Sequence, residues 1–183
     1  AARERAPAYA HVVSHLAALE GPRRAAELLR PLLATSDDPE IAAQLATALA
    51  ALGEKDEAER VRQQAAARYR ELIERHPAAF ADHAARFWLG AGADPKLALD
   101  LARRNLETRK IDAAYELFIE AALAAGAPAA ACDAADAAHR QRAWEPSMLL
   151  RTFATTAYAA CGRAGRAVPD DRERKNRESS SSF

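Results

Sequence analysis

Apolar residues along this chain recur with the period of a helix. Val12, Leu16 and Leu19 fall on one stripe, as do Ile41, Leu45, Leu49 and Leu52, and again Leu97, Leu101 and Leu106. No stretch shows the period-two alternation of a half-buried strand. The stripes are cut by seven glycines, at 21, 53, 90, 92, 126, 162 and 165. One turn glycine per group (Gly21, Gly53, Gly92, Gly126, Gly162) gives a spacing of about 35 residues. Glycine ends helices because it takes a left-handed backbone without steric cost. Prolines mark the same period. Pro22, Pro95 and Pro128 follow turn glycines, and Pro7, Pro39, Pro77 and Pro146 open the segments that lead up to them. Each period therefore holds two helices. The predicted elements are 7–20, 22–34, 38–52, 55–75, 77–90, 94–108, 111–125, 128–142 and 145–161.

Two places break the pattern. Pro31, inside "AAELLRPLLATS", removes a backbone hydrogen bond, so a kink or an early helix end is expected there. After Gly162 the sequence "GRAGRAVPDDRERKNRESSSSF" loses its apolar stripe. Residues 1–167 are read as the helical repeat domain and 168–183 as a disordered polar tail.

Composition narrows the function classes. Hydrophobic residues make up 50% and aromatics only 6%, with alanine dominant, which suits helices that approach closely. The alanine and arginine bias points to a GC-rich bacterial genome. The 26 basic and 26 acidic residues cancel, which argues against a nucleic-acid partner, since such binders carry a basic surplus. No run of ~20 apolar residues is present to span a membrane. The opening "AARERAPAYA" has no apolar core of a signal peptide. A cytoplasmic location is the favoured expectation, with the native N-terminus left open. Two cysteines, Cys132 and Cys161, are too few for a disulfide framework. They are expected close together, at adjoining helix ends, but reduced.

A helix pair repeated at this period resembles the tetratricopeptide repeat. Single positions resemble it too. That family places a small residue five positions after the turn glycine, and Ala26, Ala58, Ala131 and Ala167 fill it, with Ala98 doing so after one insertion in "GADPKLALDLA". Seven positions before the glycine, Ser14, Ala46, Ala85 and Thr155 match, and Ile119 departs. Tyr115 supplies the large aromatic of the fourth repeat, and "ALGEKDEAERV" is the best single match. The resemblance implies an all-α, right-handed solenoid of antiparallel helix pairs, with about four and a half repeats. It also implies a concave groove, lined by the first helix of each pair, that binds a peptide or partner protein.

In that family, residues ten and six before the turn glycine face the groove. The corresponding residues here are His11 and His15, Ala43 and Thr47, Asp82 and Arg86, Glu116 and Glu120, and Thr152 and Thr156. Glu116 and Glu120 would favour a basic or amide-rich segment. The row lacks the Lys, Asn and Arg set with which some members clamp a carboxylate. The alternative for each pair is a solvated helix face. Paired acids such as Asp37 and Asp38 sit at helix starts and read as caps. "RYRELIERH" and "ARRNLETRK" read as salted outer faces. Phe87 and Trp88 could stack on a ligand beside Arg86, with core packing as the plainer reading.

"HVVSH" at 11–15 sets His11 and His15 at metal-binding helical spacing, but Val12 stands where the zincin motif places its Glu. No phosphate loop or nucleophile elbow occurs. The sequence reading is therefore a protein-interaction scaffold with no catalytic residue, no metal and no cofactor. The alternatives are a metal-dependent hydrolase built on His11 and His15, or a nucleic-acid-binding helical repeat. Zinc titration of the protein beside a His11→Ala, His15→Ala variant checks the assignment. Weak binding without hydrolytic activity is expected, and tight stoichiometric binding that the variant loses, with a metal-dependent activity, would contradict it.

Overall fold

The structure, a computed structural model, describes residues 21–140 and 147–163. The expected first helix (7–20), His11, His15, Ser14, Ala167 and the 168–183 tail lie outside these residues. The described part is all-helical, with no strand. Two compact units divide the chain, Ala1–Asp94 and Pro95–Phe183, and each is described by itself.

The first unit contains α1 (Pro22–Leu33), α2 (Pro39–Ala51), α3 (Lys55–Arg75) and α4 (Pro77–Leu89). The second contains α5 (Pro95–Thr108), α6 (Asp112–Ala124), α7 (Pro128–Arg140) and α8 (Met148–Ala160). Proline opens α1, α2, α4, α5 and α7, where its missing N–H is one the helix could not use. Asp38 caps α2 by accepting the Glu40 amide at 2.9 Å. Pro31 lies in the last turn of α1, which runs on only to Leu33. So close to the C-terminus, the lost bond to the Glu27 carbonyl shortens the helix rather than breaking its middle.

Three turns share one construction. Gly53, Gly126 and Gly162 have φ of 80°, 71° and 76°. In each, the glycine amide and the amide after it bond back into the last helical turn. Around Gly53 these bonds are Gly53 N–H to Ala50 O (3.1 Å) and Glu54 N–H to Leu49 O (3.0 Å). This is the Schellman motif, and it reverses the chain within three residues. The turn after α4 differs. Its left-handed residue is Ala93, at φ 51°, and Gly92 serves another purpose. A Cβ on Gly92 would lie 2.6 Å from Trp88 Cε3 and 2.9 Å from both Trp88 Cα and Phe87 Cε1. Glycine is needed there for close approach, not for backbone freedom.

Alanines form the crossings. Ala26, Ala46, Ala58 and Ala85 are buried in the first unit, and Ala98 and Ala131 in the second. Larger side chains fill the space between: Leu29, Ile41, Leu45, Tyr69, Phe87 and Trp88 in one unit, Tyr115, Leu117, Phe118 and Ile119 in the other. Thr155 does not behave as expected. It is exposed on α8, with its hydroxyl donating to the Arg151 carbonyl at 2.9 Å. None of the described helices packs over that face.

Within the second unit, α7 and α8 run antiparallel. Cys132 of α7 meets Cys161 at the end of α8, while Asp136, one turn further along α7, accepts the Tyr158 hydroxyl at 2.9 Å. The expectation of reduced thiols is corrected: Cys132 and Cys161 form a disulfide, with Cα atoms 6.6 Å apart. The Schellman turn at Gly162 holds Cys161 at the helix end facing Cys132, inside bridging distance. Across a sequence separation of 29 residues, loop closure of this kind contributes roughly 3–4 kcal/mol. No helix among the described residues is long and apolar enough to cross a membrane.

The two kinds of turn glycine are separable by substitution. Gly53→Ala should cost ~1–2 kcal/mol through its left-handed backbone, and Gly53→Asn less, because Asn tolerates that region. Gly92→Ala and Gly92→Asn should both cost about 1–3 kcal/mol by overpacking against Trp88. Urea unfolding of the four variants checks this, and an Asn variant as benign at 92 as at 53 would contradict the close-approach account.

Candidate functional site

One face of α2 carries Glu40, Ala43, Gln44 and Thr47, at offsets of three, four and seven residues, so all four project to the same side. Helix α4 presents Arg86 and Phe87, followed by Gly90 and Ala91 in the turn, and α3 contributes Tyr69. Together they line an open depression of about 160 Å³ in the first unit. Its wall is aromatic. The Tyr69 and Phe87 ring centroids are 5.1 Å apart, and Phe87 meets Trp88 edge-on at 4.9 Å. The Arg70 guanidinium lies over the Trp88 ring, 5.0 Å from its centroid. Gly92 packs against Phe87 as well as Trp88, so the turn lies against the depression's aromatic wall.

Glu40 is the polar centre of this face. It accepts the Tyr69 hydroxyl at 3.0 Å and the Gln44 amide at 3.1 Å. His83 Nδ1 of α4 stands 3.8 Å from the same carboxylate, an ion-pair distance rather than a hydrogen bond. Helices α2, α3 and α4 thus converge on one carboxylate. The His83 imidazole beside it, followed by the Gln44 and Tyr69 donors, brings the Glu40 carboxyl down to about 2 against the opposing effect of burial. Glu40 in turn raises His83 above its ordinary value, with Asp82 and Asp38 adding to the effect. Burial raises the Tyr69 phenol, and the neighbouring Glu40 charge raises it further.

Arg86 is exposed and makes no ion pair among the described residues, whereas other arginines of this unit are paired. Arg30 reaches Glu54 and Glu57, Arg62 holds Glu59, and Arg68 bridges Asp37 (2.8 Å) and Glu71 (2.7 Å). These pairs, with Arg75 on Glu71 at 2.9 Å, make the "RYRELIERH" face the salted surface expected of it.

Of the groove residues named from sequence, Ala43, Thr47 and Arg86 come together at this depression. Asp82 lies one turn earlier on α4, where its carboxylate accepts the His83 amide at 3.0 Å. His11 and His15 are outside the described residues. In the second unit Glu116 is buried and accepts the Ser147 hydroxyl. Asp112 accepts the Ser147 amide at 2.9 Å, so the first turns of α6 and α8 lie side by side. Glu120 is half-buried. Thr152 and Thr156 are exposed, with hydroxyls donating to the carbonyls of Met148 (3.1 Å) and Thr152 (3.0 Å). Phe87 and Trp88 are core residues.

Sequence reasoning missed Glu40, Gln44 and Tyr69. Of the acids at the start of α2, Asp38 is the cap expected of it, while Glu40 turns to the neighbouring helices. The usable signal was the shared helical face of Glu40, Gln44 and Thr47. Among the described residues no cluster of three or more His, Cys, Asp or Glu side chains is placed to hold a metal. Set against protein-family models, curated proteins and solved structures, the chain matches none of them.

The Glu40–His83 pair gives a pH signature. A raised His83 contributes stability below its ordinary value of 6.5 and loses it as pH rises through the folded value. A lowered Glu40 contributes above its ordinary 4.5 and loses it as pH falls toward about 2. The pair therefore stabilises most between these ordinary values, and modestly, because both side chains are partly exposed. An NMR titration of His83 should show a midpoint above about 6.5 that falls in Glu40→Gln. A midpoint unmoved by the substitution would contradict the pairing.

Proposed function

We propose that this chain is a protein-interaction module of the tetratricopeptide type, a right-handed solenoid of about four and a half helix pairs that binds a peptide or a segment of a partner protein. On this reading α2 and α4 are the first helices of the second and third pairs, and their shared side is groove. The observation that carries the proposal is the meeting of Ala43, Thr47 and Arg86 at one open depression. The family resemblance assigns these three positions to the groove by their distance from the turn glycines. Three further observations support it: the common Schellman turns, the buried small residues after them, and the parallel first turns of α6 and α8. The depression offers a guanidinium without an ion pair among the described residues, a threonine and an amide over an aromatic wall. Those groups suit one partner side chain with polar and apolar parts. An open, shallow site of this kind provides binding area without the water-excluding enclosure that chemistry needs.

Panning a random peptide display library against the protein tests the proposal. Peptides should be selected whose binding drops at least tenfold, about 1.4 kcal/mol, in Thr47→Arg and Arg86→Glu, while Arg62→Glu on the outer face leaves it unchanged. Failure to select any binder, or binders equally sensitive to Arg62→Glu, would overturn the assignment.

A further inference from the structure

Helix α8 is held to its unit in an unusual way. It has 13 residues but buries only Leu150, Ala154, Ala157 and Tyr158, two of which are alanines. Helix α6, of the same length, buries eight. Apolar burial scales with the area removed from water, so α8 gains far less from docking than α6 does. Its fastening lies at its two ends. At the start, Ser147 is fixed by Asp112 and Glu116 of α6 and caps α8 by accepting the Leu150 amide at 3.0 Å. At the finish, Asp136 of α7 accepts Tyr158 (2.9 Å) and Arg163 (3.2 Å), and the Cys132–Cys161 disulfide closes the same end. Met148 and Leu149, at the first turn, stand exposed rather than packed. The polar pins are partly solvated and individually weak. Among these fastenings the covalent bond is the strong one.

We propose that the disulfide is a redox-operated latch on α8. Cys161 is half-buried at the helix end, whereas Cys132 is fully buried. A dithiol reductant therefore attacks the Cys161 sulfur. The Cys132–Cys161 bond breaks, a mixed disulfide forms on Cys161, and Cys132 leaves as a thiolate that takes a proton. The second thiol of the reductant then displaces Cys161 and closes the reductant's own disulfide. Two electrons and two protons thus pass to the two cysteines. With the bond open, α8 rests on its end pins and four buried side chains, and it detaches as one segment while α5, α6 and α7 stay folded. Detachment bares the sides of α6 and α7 that α8 covers. This inference does not rest on the groove reading, because its observations are the burial and fastening of α8 alone.

Hydrogen–deuterium exchange of the whole protein, with and without dithiothreitol, tests the latch, with alkylation and mass measurement counting free thiols in each sample. The oxidised protein should show no free thiol. On reduction, amides of 148–160 should exchange at least tenfold faster, while those of 95–140 change less than twofold. Cys161→Ser should show the same pattern without reductant, and the reduced parent gives the answer should that variant not fold. Unchanged protection of α8 with both thiols alkylated would overturn the proposal. So would loss of protection across the whole unit, a bond that dithiothreitol cannot reduce in the native protein, or free thiols in the oxidised sample.

Discussion

Close approach of helices on alanine is the constraint on which both units rest. Alanine loses no side-chain entropy in a helix and lets two backbones come together, which is why Ala26, Ala58, Ala85, Ala98 and Ala131 sit buried. The same choice leaves little apolar bulk per residue. Orientation must then come from a few large side chains and from directed contacts. Tyr69, Phe87 and Trp88 supply the bulk in the first unit, and Glu40 ties three helices through Gln44, Tyr69 and His83. In the second unit Tyr115, Phe118 and Ile119 supply it, and Glu116 and Asp112 fasten the start of α8.

Helix positions were legible because the chain punctuates itself with residues whose backbone chemistry is local. Proline at a first turn and glycine at a Schellman position need no knowledge of tertiary contacts, and the predicted bounds of α2 to α6 lie within a residue of those observed. What depended on how side chains pack against one another was not legible. Gly92 reads like the other turn glycines, but its reason is the Trp88 ring above it, and the left-handed position next door is Ala93. The approach of Cys132 and Cys161 was legible from their places at adjoining helix ends, but whether the two side chains met within bonding geometry was not. The role of Glu40 was not legible either, because it rests on Tyr69 of α3 and His83 of α4.

The depression follows from the same packing. Its wall is the aromatic cluster that the alanine crossings leave room for, and its rim is the α2 face whose carboxylate is already satisfied from within. Satisfying Glu40 internally leaves Arg86 as the charged group on that rim without an internal counterpart among the described residues. Elsewhere in the unit Arg30, Arg62, Arg68 and Arg75 are held by carboxylates and Arg70 by the Trp88 ring.

The central claim is that a partner segment lies along the α2 and α4 side of the first unit. Amide chemical-shift mapping by NMR, on adding a peptide that binds the protein, tests it most directly. The account predicts the largest shifts at Ala43, Gln44, Thr47, Arg86 and Ala91. Shifts concentrated instead at Glu59, Arg62 and Gln63, on the outer face of α3, would contradict it.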